Sequence, residues 1–271
     1  MNMRYLKSRL VIGASALAAG SFAFAAPAAA ATAFQNGSFF LGTATSPLGD
    51  SFQTVCAGST SGATDATAIT GWTVTGGSVD VVGTGYWTPE VSGTNSLDMN
   101  GSPLNCPTNT SGASLAAGTI QQTFTTVPGG IYFVSFWMAG NPAVGYQGST
   151  GEAVPATKTL YVQATGGSKQ TYTFTNDNST SATNMGWVQK GYTFSANSDS
   201  TTLSFMADSN NTSYGGPALD SVTVTPIITS GAQCKDGGWK NLFDPNTGAN
   251  FKNQGQCVSH FATSGDVPIG S

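Results

Sequence analysis

Beyond its first thirty residues this chain has no arginine, and its lysines there number six: Lys158, Lys169, Lys190, Lys235, Lys240 and Lys252. All 13 acidic residues lie in the same region, so its net charge is 6 − 13 = −7. A surface without a basic patch has little means of holding phosphate backbones or anionic lipid. Nucleic acid is therefore excluded as a partner. Histidine occurs once, as His260, which leaves a Ser–His–Asp triad only a tail residue to draw on. Glutamate occurs twice, as Glu90 and Glu152, both in loop-like sequence. With Asp80 and Asp98 they are the carboxyls from which a glycosidase would have to be built. There is no C-x-x-C pair and no histidine cluster, which argues against zinc. After Ala25 no apolar run is long enough to span a bilayer, so no transmembrane segment is expected in the mature chain.

What is present is directional. Arg4, Lys7 and Arg9 precede an apolar, alanine-rich run from Leu10 to Ala25, and small residues follow. Residues 1–31 read as a secretory signal peptide, which predicts an extracellular protein. Four cysteines fit that compartment. They fall into two groups, so proximity favours Cys56–Cys106 and Cys234–Cys257 among the three possible connectivities. The first pair would join two stretches of poor pattern, 41–68 and 101–118, and contribute about 3–4 kcal/mol on the chain-entropy account.

From Phe34 to Pro226 alternation of apolar and polar residues dominates. Strands are predicted at 36–40, 71–75, 78–82, 95–100, 119–127, 131–139, 158–165, 170–176, 187–196, 201–207 and 218–225. The 131–139 segment, IYFVSFWMA, is apolar on both faces and is expected to be central and doubly covered. VPGG at 127–130, Gly76-Gly77 and Gly166-Gly167 read as hairpin turns. The pattern predicts an all-β protein with one β-sandwich or jelly roll over 32–226. A linker (227–233) and a disulfide-closed C-terminal tail (234–271) follow.

Several stretches together are specific: NGSFF (36–40), GWTVTGGSVDVV (71–82), SLDMNG (96–101), IQQTFTTVPG (120–129), FWMAGNP (136–142), NMGWVQKGYTFSA (184–196) and GPALDSVTV (216–224). They resemble the bacterial choice-of-anchor C family, which is related to the plant cell-wall proteins of a domain family of unknown function, number 642. The resemblance covers about 34–225. It implies a galactose-binding-like jelly roll carried to the cell surface or beyond. It implies no catalysis, and glycan binding only by analogy with the plant relatives. The chain departs from the family at Phe40, where glutamate is usual, and in lacking the C-terminal anchor.

Two sets of residues stand out. In GGPALDSVTVTP (215–226), alternation puts Asp220 in one row with Val222 and Val224, opposite Leu219, Ser221 and Thr223. A buried carboxylate needs partners. Many carbohydrate-binding jelly rolls hold a structural calcium near the chain ends, and Asp220 with Asn36 are the oxygens placed for it. The other reading has Asp220 accept backbone N–H groups from a neighbouring loop. The second set is aromatic. Trp72, Trp137 and Trp187 sit in strand patterns and are expected in the core. Tyr86, Trp87, Tyr146 and Tyr214 sit in glycine-rich or polar loops. If those loops meet at one rim, Tyr86 and Trp87 form a stacking platform with Asp98, Asn100, Asn141 and Tyr214 beside it. The alternative is that Tyr86 and Trp87 cap the sandwich. The expected function is a secreted, non-catalytic protein that binds a polysaccharide or cell-surface glycan. A structural or adhesive matrix protein is the first alternative and a glycosidase the second.

Overall fold

The computed structural model describes residues 33–44, 46–60, 62–106, 117–147, 151–208, 214–227, 231–235, 237–241, 243–244 and 249–264. The signal-peptide segment lies outside them, as do residues 228–230 of the expected linker. Eleven strands form two antiparallel sheets that pack face to face. One sheet has the order β1 (Phe52–Cys56), β3 (Ser78–Val82), β4 (Ser96–Asp98), β11 (Pro217–Ile227), β6 (Ile131–Gly140), β9 (Val188–Ser195). The other has the order β2 (Thr73–Gly76), β5 (Thr119–Thr125), β10 (Ser200–Ala207), β7 (Thr157–Ala164), β8 (Gln170–Thr175). The protein is an all-β sandwich of jelly-roll type, as its alternation predicts.

Inward-facing rows make the core. Tyr132, Val134, Phe136 and Met138 of β6 meet Leu203 and Phe205 of β10 and Leu160 and Val162 of β7, all buried. Trp72 lies among Phe34, Phe39 and Phe205, with ring centroids 5.7 to 6.0 Å away. Each such side chain stabilises the fold by roughly 1.5–3 kcal/mol through burial. Buried Gln122 fastens the N-terminal segment as a missing strand neighbour would. Its Oε1 accepts Gln35 N at 2.8 Å and its Nε2 donates to Gln35 O at 2.9 Å.

Several sequence expectations give way. NGSFF is a turn, with Asn36 at φ 52° and Phe39 at φ 55°. The Asn36 side chain closes it, accepting Phe40 N at 2.8 Å and donating to Phe40 O at 2.9 Å. Gly37 must be glycine, since a Cβ there would lie 1.8 Å from Val222 O. Gly76-Gly77 and VPGG are not hairpins: β2 and β3 belong to opposite sheets, as do β5 and β6, and these turns cross the sandwich. Gly166-Gly167 does join a true hairpin, β7 with β8. β6 is not covered equally on both faces, because Ile131, Phe133, Ser135 and Trp137 are only half-buried. β1 emerges from a stretch that had no clear pattern, held by five register pairs with β3.

Both expected disulfides are formed, Cys56–Cys106 and Cys234–Cys257. The tail is more regular than its polar composition suggests. It carries a short ribbon, β12 (Phe243–Asp244) with β13 (Ala249–Asn250), and one helix, α1 (Gln254–Ser264). Asn253 caps α1 by accepting Gln256 N at 2.8 Å, and Gln256 Oε1 accepts Lys252 N at 2.8 Å. The arrangement is like a capping box, except that Gln256 reaches back to the amide one residue before the cap. Cys234, Phe251 and Cys257 form a small core of their own. His260 lies on α1 against the Phe251 ring, centroids 5.5 Å apart. Among the described residues no helix is long and apolar enough to cross a membrane.

Candidate functional site

The outer face of the six-stranded sheet carries the site. On β3 and β4, Val79, Val81 and Leu97 point into the sandwich, as does Met99 just past β4, so Asp80, Val82, Ser96 and Asp98 point out. Loops fold over this outer face and bury it. Trp87 packs there with Val82, Ala139, Met185 and Ala218, and its indole N–H donates to Ser96 Oγ. Trp187 lies beside this cluster, its indole N–H donating to Thr88 O at 3.0 Å. Beside the cluster the loops part and leave a cleft of about 630 Å³.

The floor of the cleft is acidic. Asp80 and Asp98 are register partners on adjacent strands, β3 and β4. Asp80 Oδ1 accepts Thr54 Oγ1 at 2.6 Å and Ser102 N at 3.1 Å, and Oδ2 accepts Ser102 Oγ at 3.0 Å. Asp98 Oδ1 accepts Asn100 N at 3.0 Å and Gly216 N at 2.8 Å, while Oδ2 accepts Asn141 Nδ2 at 2.7 Å. Gly216 has to be glycine for this approach, since a Cβ would fall 2.8 Å from Asp98 Oδ1. Burial raises Asp98 to about 7, with the neighbouring Asp80 charge pushing the same way and its hydrogen bonds opposing. Burial raises Asp80 too, against the bonds from Thr54 and Ser102. Behind the floor, Lys158 of β7 is almost completely buried and donates to Gly215 O at 3.0 Å. Its burial lowers the ammonium to about 8, although the Asp98 charge favours the protonated form.

The walls are aromatic. Tyr86 is 49% exposed and Tyr146 61% exposed, and Phe52 and Tyr214 complete the lining with Leu104 and Asn105. Tyr86 is edge-on to Phe52 at 5.4 Å and to Trp87 at 6.2 Å. Burial raises the Tyr86 phenol, and the charges of Asp98 and Asp80 raise it further. Asn141 links floor to wall, because its Oδ1 accepts Ala143 N at 2.9 Å and so starts the loop that carries Tyr146.

The structure thus brings together Tyr86, Asp98, Asn141, Tyr146 and Tyr214, on a sheet face and not at a rim. Asn100 is buried beside Asp98 and contributes its backbone. Trp87 is corrected. It lines the cleft but is only 2% exposed and anchors the loop from which Tyr86 projects, so it offers no open ring face for stacking. Of the three tryptophans expected in the core, Trp72 is fully buried, and Trp137 and Trp187 are half-buried.

Asp220 also differs from its sequence reading. The β11–β6 register slips between Asp220 and Thr223, with Ser221 at φ 48°. This bulge returns Val222 to the side of Leu219, and both lie in the core. Asp220 is on the outer face opposite Trp137. It accepts Glu90 N at 2.8 Å, Ser221 Oγ at 2.9 Å and Thr94 Oγ1 at 3.3 Å. N–H and O–H groups therefore occupy the places a cation would take, and the Asn36 amide is turned into its own loop. Asp220 and Asn36 do not form the oxygen pair expected for calcium. Among the described residues no three His, Cys, Asp or Glu side chains gather to hold a metal. Sequence reading also passed over Phe52, Ser102, Leu104 and Lys158. Lys158 had one signal, a lysine in an otherwise uncharged strand.

An antiparallel sandwich with a loop-built, acidic and aromatic cleft on one outer face is the class of protein this geometry defines. The chain belongs to the family described as Protein of unknown function (DUF642), whose model matches residues 32–225. No curated protein matches it. Among solved structures it is similar to CBM35 from Paenibacillus barcinonensis, at 23% identity over 58% of this chain and 93% of that one, TM-score 0.33. It is also similar to a structure described as "CBM4 structure and function", at 16% identity over 71% and 99%, TM-score 0.34. A third similarity is to a cycloisomaltooligosaccharide glucanotransferase of Paenibacillus sp., at 15% identity and TM-score 0.32. It covers 55% of this chain and only 17% of the enzyme.

Proposed function

We propose that this protein is a secreted, non-catalytic carbohydrate-binding protein of the bacterial choice-of-anchor C type, and that it takes a cell-wall or surface glycan in the cleft. The observation that carries this reading is the pairing of exposed Tyr86 and Tyr146 with a hydrogen-bonded polar floor in one cleft of about 630 Å³. Sugar rings present C–H faces to aromatic rings and hydroxyls to carboxylates and amides, and this lining offers both. A glycosidase is less well supported. Its two carboxyls flank the scissile bond, whereas Asp80 and Asp98 stand side by side on neighbouring strands, each fixed by backbone and side-chain donors.

A glycan array followed by affinity measurement tests the reading. Tyr86→Ala and Tyr146→Ala are each expected to weaken binding by roughly 1–3 kcal/mol, the scale of losing an aromatic anchor, with the melting temperature unchanged. Retained affinity in both variants, or no glycan bound by the wild type, would overturn it and favour a matrix protein without a small ligand.

A further inference from the structure

The cleft has a sign. Asp80 and Asp98 sit opposite one another across an antiparallel pair, where Cβ atoms are roughly 4.5–5.5 Å apart. Both side chains are more than nine-tenths buried and both line the cleft. In each carboxylate Oδ1 takes two donors and Oδ2 takes one. A carboxylate oxygen accepts two hydrogen bonds, so each Oδ2 keeps one acceptor direction with no partner among the described residues. The lining holds no lysine, arginine or histidine. The segments outside the described residues that adjoin lining residues in the sequence, 107–116, 148–150 and 209–213, contain no charged residue. The nearby cation, Lys158, comes from the opposite sheet and is committed to Gly215 O behind the floor. A ligand carboxylate entering here would meet two others. A ligand ammonium would meet two acceptors.

Resting on the reading that this cleft binds glycan, we propose that its ligand is an amino sugar polymer with free amino groups, the ammonium seated between Asp80 and Asp98 and the sugar ring against Tyr86, and that uronate polymers are refused. Like charges brought together at an interface cost several kcal/mol, and a charge-assisted hydrogen bond is about twice as strong as a neutral one, so the discrimination follows from one geometry. Asp80, Asp98, Tyr86, Tyr146, Tyr214 and Lys158 are the titratable groups that surround the seat.

The test is calorimetric titration of the exported protein with a glucosamine oligomer, its N-acetylated counterpart, a neutral glucan oligomer and oligogalacturonate. The free-amine oligomer is expected to bind roughly tenfold more tightly than the acetylated one, the scale of a hydrogen bond to a charged group. Oligogalacturonate is expected not to bind. Asp80→Asn is the variant of choice. Its Oδ1 still accepts Thr54 and Ser102, and its new Nδ2 donates to the Ser102 hydroxyl. It should keep the wild-type melting temperature and lose the tenfold preference for the free-amine over the acetylated oligomer. In the wild type the preference should also fade on acidification, as the carboxylates protonate. Equal or tighter binding of the neutral oligomers, binding of oligogalacturonate, or a preference that persists in Asp80→Asn overturns the amine assignment and leaves glycan binding standing. Binding of the free amine that survives both Tyr86→Ala and Asp80→Asn is adsorption to an acidic chain and overturns it as well. Failure of every oligomer to bind overturns the underlying reading instead.

Discussion

Asp220 offers the sharpest test of how the cleft is held in place. Its carboxylate is fully buried and straps the loop that presents Tyr86 and Trp87 to β11. Asp220→Ala removes the acceptor for Glu90 N, Ser221 Oγ and Thr94 Oγ1. Thr94 keeps a second partner, Val91 O at 2.7 Å, and Glu90 lies where water can reach it. The loss is therefore one buried network with partial rehydration, about 2 kcal/mol. In a domain of this size that lowers the melting temperature by roughly 4–8 °C. Asp220→Asn should cost less than about 1 kcal/mol, because the two hydroxyls can turn to accept from its Nδ2 while its oxygen keeps the Glu90 amide. Burial outweighs these bonds and raises the Asp220 pKa in the folded state. An acid raised in this way is favourable at low pH and loses that advantage as pH rises through its folded pKa. The balance between wild type and Asp220→Asn should accordingly move toward the variant from about pH 4 upward. Scanning calorimetry with and without a chelator measures all of this, and the chelator should change nothing. A melting temperature for Asp220→Ala within 1 °C of wild type would refute the strap (about 0.3 kcal/mol on the same scale). A chelator-induced drop that Asp220→Asn abolishes would show a calcium ligand and refute the hydrogen-bonding account.

Trp87→Ala should destabilise the domain by about 3–5 kcal/mol, as for other buried tryptophans, and any loss of glycan affinity should track unfolding in a denaturant titration. Lys158 is lowered from 10.5 to about 8, so the folded state binds the proton less well than the unfolded chain does. Wild-type stability should rise between about pH 8 and 10.5, and Lys158→Met should lack that rise in urea melts across the range. Cys257→Ser should free a tail whose own core contains the Cys234–Cys257 bridge. Trypsin should then cut at Lys235, Lys240 or Lys252 while the melting temperature of the sandwich is unchanged.

The strands were legible because the sandwich obeys period-2 burial, and ten of the eleven sandwich strands coincide with an alternating or apolar run. β1 was not, since Phe52 and Gln53 are partly exposed at a sheet edge and only three of its residues are buried. Which sheet each strand joins was also hidden. A Gly-Gly or Pro-Gly-Gly turn looks the same in a hairpin and in a crossing between layers. The sidedness of Asp220 failed for a single cause, the bulge at Ser221, which no local signal announces because serine rarely adopts positive φ. In the site, Tyr86 and Tyr146 were readable as large rings in polar loops. Trp87 was not separable from Tyr86 by sequence, and only the loop cover over the outer sheet face decides that one ring is inside and the other outside. Lys158 and Asp98 come from opposite sheets, sixty positions apart, and nothing in either local sequence pairs them.

The Cys56–Cys106 bridge ties the edge strand β1 to the segment that follows Ser102. That segment supplies Leu104 and Asn105 to the cleft, and Ser102 to Asp80. Thr54 of β1 lies in the same web, donating to Asp80 and accepting Asn105 Nδ2 at 2.9 Å. Neither cysteine belongs to the main core cluster of the sandwich. A newly made chain still among reducing thiols would then hold its core and lack one side of its cleft.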